Sequence, residues 1–179
     1  MSGLDLLIAV GVTLVAMAVG IALRRAITAW FLYRGQRIVT CPENQQSAGV
    51  VVDAWHAAYT APAREGVELR LTGCTRWPEH RDCDQKCLAQ LESSPSDCLV
   101  KNMLKRWYDG KYCAWCGQPV GEAYWTSCKP VVLTRHATLL QWDEIPIGQL
   151  TGALATGSPV CFPCYARANC EIARHREAR

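Results

Sequence analysis

The chain has 179 residues, a net charge of +3 and hydrophobic side chains at 50% of its positions. So small a basic excess excludes a strongly nucleic-acid-binding protein and a polyanion mimic, and the length leaves room for one domain or two small ones. The 11 cysteines make compartment the governing question, because an oxidising one yields disulfides and a reducing one leaves metal ligands or thiols.

Residues 6–23, LLIAVGVTLVAMAVGIAL, carry no charge, and Asp5 precedes and Arg24 and Arg25 follow them. At about 1.5 Å per residue this run is as long as the hydrocarbon core of a bilayer is thick. Trp30, Phe31 and Tyr33 stand where an interfacial aromatic belt belongs. Residues 1–36 are therefore expected to be a transmembrane anchor, spanning at 6–23, with its juxtamembrane segment. A buried core helix fits poorly, since the run has no polar stripe. No Lys or Arg precedes the span, whereas Arg24, Arg25, Arg34 and Arg37 follow it. The positive-inside tendency then puts the N-terminus outside an inner or plasma membrane and the Cys-rich remainder in the cytoplasm. A cleavable signal peptide competes through Ala16-Met17-Ala18, but the positive n-region is missing and the apolar run continues beyond that point.

Residues 37–110 read as a β-meander followed by a helical hairpin. Arg37–Thr40, Gly49–Ala54 and Gly66–Leu71 are the expected strands, with Pro42–Ala48 a turn and Tyr59–Glu65 a proline-containing loop. Asp82 and Gln85 resemble a capping box opening a first helix, and Ser94-Pro95 an N-cap and first-turn proline opening a second, which ends at Gly110. Residues 111–179 read as a β-rich part with strands at Ala123–Thr126, Pro130–Thr134 and Thr138–Trp142, closed by a polar, basic helix over 164–179. The fold class expected is α+β: an N-terminal transmembrane helix, then a small Cys-rich domain with a short antiparallel sheet, a helical hairpin and a β-rich part.

Two Cys-x-x-Cys pairs carry the clearest chemistry. In Cys113-Ala-Trp-Cys116-Gly117 the two thiolates are spaced to share one ion, and glycine after the second cysteine supplies the positive φ that such a turn needs. Cys161-Phe-Pro-Cys164 leads into the C-terminal helix. A knuckle followed later by a Cys pair at a helix start resembles the zinc-ribbon and treble-clef modules over residues 112–175. That resemblance implies a tetrahedral site with Cys113, Cys116, Cys161 and Cys164 as zinc ligands. The same grammar is similar to that of rubredoxins, which implies iron as the alternative. Cys-x-Pro-Cys at a helix start also resembles thioredoxin-like redox sites, but Gly-Gln-Pro after Cys116 interrupts any helix there, and a second pair favours metal.

Cys74, Cys83, Cys87 and Cys98 form a second group, with Cys41 and His80 as substitutes within it. Cys83 and Cys87 are expected one helical turn apart. Three readings stand: a second zinc or iron–sulfur centre, disulfides bracing the hairpin, or buried thiols. Cys128 and Cys170 have no evident partners and are expected to be structural.

The chain has no Cys-x-x-Cys-His, phosphate loop, dinucleotide fingerprint, HExxH or GxSxG, and its 4 histidines do not suggest a multi-histidine catalytic site. Catalysis is not required by anything in the sequence. The expected function is a membrane-anchored, zinc-binding accessory or interaction protein, a subunit of a membrane complex with a protein partner. The alternatives are electron transfer by iron or an iron–sulfur cluster, and an extracytoplasmic disulfide-braced domain.

Overall fold

The computed structural model describes residues 3–63, 66–79, 82–120, 129 and 131–177, the last seven as backbone. The strand expected at Ala123–Thr126, together with His80 and Cys128, lies outside the described residues. The chain is a mixed α/β structure with two small antiparallel sheets, divided into two compact units: residues 1–36 with 50–96, and residues 37–49 with 97–179.

The first unit begins with helix α1 (Gly3–Tyr33), which is long and apolar enough to cross a membrane, and whose most apolar stretch is unburied by the rest of the protein. Near its end Ala29 and Tyr33 are buried, and helix α2 (Ala54–Thr60) packs on it. Trp30 meets Phe31 edge-on at 4.9 Å and Trp55 at 5.8 Å, and Arg34 lies 4.3 Å over the Phe31 ring. Gly35 then takes φ 97°, a left-handed conformation that stops the helix.

Helix α2 occupies ground where the sequence suggested a strand end and a loop. Its N-cap is Asp53, whose Oδ1 accepts from the His56 backbone N–H at 2.9 Å while Oδ2 takes the Arg70 guanidinium at 2.7 Å. The Arg70 pairing draws residues 66–70 across the helix end, where the Glu68 N–H donates to Thr60 Oγ1. The third strand, β3 (Leu71–Cys74), therefore starts where Gly66–Leu71 was expected to end. It pairs antiparallel with β2 (Ser47–Val52) in the register Val50 to Cys74 and Val52 to Leu71, with an irregularity between Val51 and Val52.

Gln85 does not complete a capping box. It adopts φ 54°, and its side chain accepts the Leu71 N–H at 3.0 Å, so helix α3 begins only at Leu88 and runs to Ser93. Cys83 is outside that helix and Cys87 is its N-cap, which removes the one-turn spacing expected of the pair. Ser94 ends α3 instead of opening the next helix.

In the second unit, β1 (Gln36–Thr40) turns through Gln45, at φ 58°, into the first half of β2. The expected meander order, β1-β2-β3, is observed. Helix α4 (Val100–Tyr108) starts later than Ser94-Pro95 suggested, because Arg37 bridges Leu99 and the Ile38 N–H donates to Cys98 at 2.8 Å. Leu99 is held extended by that pairing and cannot join a helix. Arg37 itself is 0% exposed.

The second sheet has the order β5-β4-β6, with β4 (Val131–Leu133) and β5 (Leu139–Gln141) as expected and β6 (Ser158–Val160) unforeseen. Helix α5 (Ile147–Thr156), between β5 and β6, was also unforeseen, although Pro146 and Gly157 bracket it and Ile147, Leu150 and Leu154 follow helical spacing. Ile38, Leu104, Tyr108, Val132, Leu150 and Leu154 belong to one hydrophobic core cluster of this unit. Trp107 Nε1–H donates to the Leu154 carbonyl at 2.7 Å, and the Tyr108 hydroxyl donates to the Val131 carbonyl, so α4 is joined by polar contacts to α5 and β4. The C-terminal helix α6 (Phe162–Glu177) closes the chain near its expected place.

Candidate metal centre

The loop between α4 and β4 folds as a knuckle for reasons local to its sequence. Tyr112 bridges Pro119, the Cys113 N–H donates to the Gln118 carbonyl at 2.8 Å, and the Gly117 N–H donates to the Cys113 carbonyl at 2.9 Å. Gly117 closes the turn at φ +68°, the conformation its sequence position suggested. The Ala114 N–H then reaches the Pro159 carbonyl at 2.9 Å and fastens the knuckle to β6. Strand β6 ends at Val160, so Cys161 emerges beside Cys113 and α6 carries Cys164 one turn onwards.

This arrangement gathers Cys113, Cys116, Cys161 and Cys164, whose sulfurs all lie within 4.8 Å of one another. The Cys116 and Cys161 sulfurs are 3.7 Å apart, far too distant for a bond and close to the spacing of two thiolates on one tetrahedral ion, about 3.8 Å for metal–sulfur bonds of about 2.3 Å. The ten described cysteines include no disulfide. Cys113 is the deepest of the four at 3% exposure and packs with Val131 and Val160, while Cys116 faces solvent. The Cys161 N–H donates to Cys113 Sγ at 3.3 Å, the kind of backbone donor that stabilises a ligating thiolate.

The electrostatics of the quartet are unequal. Burial pushes the Cys113 thiol up, but backbone N–H groups of Cys161, Cys116 and Trp115 outweigh it and bring its pKa down to about 6. The Cys161 thiol beside Cys164, together with burial, pushes Cys164 up to about 12, and burial raises Cys161 as well. One sulfur thus ionises readily, and the resulting charge discourages ionisation of its neighbours. Four converging sulfurs of this kind suit a single soft or borderline cation, which relieves the repulsion between thiolates.

The remaining cysteines are placed differently. Cys74, Cys83 and Cys87 belong to the first unit, and Cys41 and Cys98 to the second. Among the described residues, the only group of three or more Cys, His, Asp or Glu ligand atoms spaced for a shared ion is the distal quartet. Cys98 is half-buried, and burial raises its pKa. A Cys-x-x-Cys turn is expected to carry backbone N–H groups towards its sulfurs, and those of Trp115 and Cys116 do reach Cys113; sequence reasoning missed only the Cys161 N–H, which arrives from a strand end remote in the chain and has no signature in the residue alphabet.

The chain matches no protein-family model, no curated protein and no solved structure.

Proposed function

We propose that this is a membrane-anchored accessory protein whose second unit is organised around one structural zinc ion held by Cys113, Cys116, Cys161 and Cys164. The observation that carries the proposal is the convergence of two Cys-x-x-Cys pairs, separated by the whole of residues 117–160, onto sulfurs within 4.8 Å of one another. A span of that size suits one ion, since two thiolates on a single tetrahedral centre stand about 3.8 Å apart. An iron–sulfur cluster ties its cysteines to different iron atoms and spreads their sulfurs more widely.

A closed four-thiolate shell offers no open coordination position, so the ion acts as a crosslink and not as a Lewis acid. It joins the knuckle, the start of α6 and the end of β6, in a unit whose core is modest. The zinc-ribbon resemblance agrees with this assignment. The exposed Tyr112 and Trp115 flank the knuckle cysteines and offer a surface for a protein partner within a membrane complex. Helix α1 anchors the chain, and the arginines after its apolar stretch favour an external N-terminus and a cytoplasmic second unit.

Metal analysis of the detergent-solubilised full chain tests the proposal. One zinc per chain is expected in a colourless sample, with zinc lost in Cys113→Ser and Cys164→Ser and retained in Cys170→Ser. Stoichiometric iron with visible absorption replaces zinc by the electron-transfer alternative. Undiminished zinc in both ligand variants refutes the assigned shell. Thiol labelling in intact and permeabilised cells tests the orientation: labelling of intact cells by an impermeant reagent refutes a cytoplasmic second unit.

A further inference from the structure

Where α2 packs on α1, the first unit contains an open groove of about 850 Å³ that the metal centre does not use. One wall is a stripe of α1 that includes Ile21, Arg24, Arg25 and Thr28, and the other includes Pro62 and Val67. The stripe follows helical spacing, so these side chains share one face of α1. Both arginines are exposed, and neither pairs with a carboxylate among the described residues. They are the first charges after the apolar run 6–23, and Ile21 lies on its last turn. The groove therefore has a cationic part at the level of the headgroups and an apolar end that continues towards the hydrocarbon.

The surroundings repeat that polarity. Trp55 and Tyr59, one helical turn apart on α2, are 76% and 85% exposed, and Trp55 lies tilted beside Trp30. Large aromatic side chains left in water at the end of an apolar helix have the amphipathic character of an interfacial belt.

We propose that this groove binds an anionic phospholipid of the adjacent leaflet, its phosphate between Arg24 and Arg25 and its acyl chains running down α1 past Ile21. Paired guanidinium groups match a phosphodiester in charge and geometry, whereas a zwitterionic headgroup offsets the attraction with its own cation. The inference rests on α1 spanning the bilayer.

The test uses the full chain in nanodiscs of phosphatidylcholine containing a minority of phosphatidylglycerol, with retained lipid identified by native mass spectrometry. Phosphatidylglycerol is expected to be retained over phosphatidylcholine on the order of tenfold. The double variant Arg24→Gln/Arg25→Gln is expected to abolish the preference, and Arg24→Lys/Arg25→Lys to restore part of it. Thr28→Trp, which fills the groove without changing charge, is expected to abolish it as well. Equal retention of the two lipids overturns the proposal. So does a preference that survives Thr28→Trp while vanishing with the arginines, since that outcome describes diffuse attraction and not a site. Displacement of the lipid by soluble glycerol phosphate overturns the lipid assignment in favour of a free phosphate site. Resistance to alkaline carbonate extraction scores the anchor separately: extraction of the chain sinks both readings, and a resistant chain with no lipid preference sinks the groove alone.

Discussion

Two glycines five positions apart are expected to respond to the same substitution with opposite signs. Gly152 lies on the exposed face of α5, and a Cβ built there meets nothing within 4 Å. Gly152→Ala removes a flexible residue from a helix interior and is expected to stabilise the second unit by about 0.5–1 kcal/mol. Gly157 follows α5 with φ −88° and ψ 166°, values any residue adopts, so backbone preference alone favours alanine there by about 0.4–1 kcal/mol. Packing reverses the sign. A Cβ at Gly157 stands 2.5 Å from Val132 Cγ1, 2.6 Å from the Ala153 carbonyl oxygen and 3.1 Å from that of Leu133. Val132 is fully buried on the central strand, and the Ala153 oxygen accepts the Gly157 N–H at 2.8 Å, so neither atom yields without disturbing α5 or β4. Overpacking of this kind costs about 1–3 kcal/mol, and weakening the helix-terminal hydrogen bond about another 0.5–1.5 kcal/mol. The net expectation for Gly157→Ala is a destabilisation of about 0.5–4 kcal/mol. Thermal unfolding of the full chain in detergent, followed by tryptophan fluorescence and circular dichroism, measures both variants against the parent. A Gly157→Ala midpoint equal to or above that of the parent refutes the close approach of α5, β4 and β6 described above.

Two further expectations concern single side chains. Asp53→Ala removes the acceptor for the His56 N–H and the partner of Arg70, and should cost about 1 kcal/mol, with the loss confined to the first unit; hydrogen exchange over α2 checks it, and unchanged protection of the α2 amides contradicts the cap. In the metal-free chain, the Cys113 thiol has a folded pKa of about 6, below the ordinary thiol value of 9.0. A depressed pKa means its contribution to stability is complete above about pH 9 and is lost as the pH falls through 6. Cys164, raised to about 12, acts in the opposite sense, contributing below pH 9 and losing that contribution as the pH rises through 12. Denaturant unfolding with a chelator present, repeated across pH in the parent and in Cys113→Ser, isolates the first effect. An identical acid-side slope in the two proteins contradicts it.

Much of the quartet was legible because its ligands come as local pairs. Cys-x-x-Cys followed by glycine is a turn that folds on short-range geometry, and Gly117 adopts the positive φ its position suggested. The α1 helix was legible for a similar reason, as a long uncharged run has one economical conformation wherever it lies. Residues whose conformation is set by distant neighbours were misread. Gln85 looks like the end of a capping box, but the Leu71 N–H, from a strand remote in sequence, recruits its side chain. Pro95 looks like the first residue of a helix, yet pairing with β1 holds Leu99 extended and delays α4 to Val100. Helix α5 was missed although its bracketing proline and glycine were visible, because its glycines and threonines lower helical propensity and only burial of Leu150 and Leu154 offsets that loss.

By itself the sequence determined an apolar helix long enough for a bilayer, a knuckle-forming cysteine pair and a second cysteine pair at a helix start, since all of these depend on local composition and spacing. The tertiary structure alone decided that the pairs meet. That meeting requires β6 to return alongside β4, and β6 is a three-residue strand, Ser-Pro-Val, with too little local preference to declare itself. Its place comes from hydrogen bonds to β4 and from the packing of Val160 against Val131 and Cys113, interactions that exist only once residues far apart in the chain have come together.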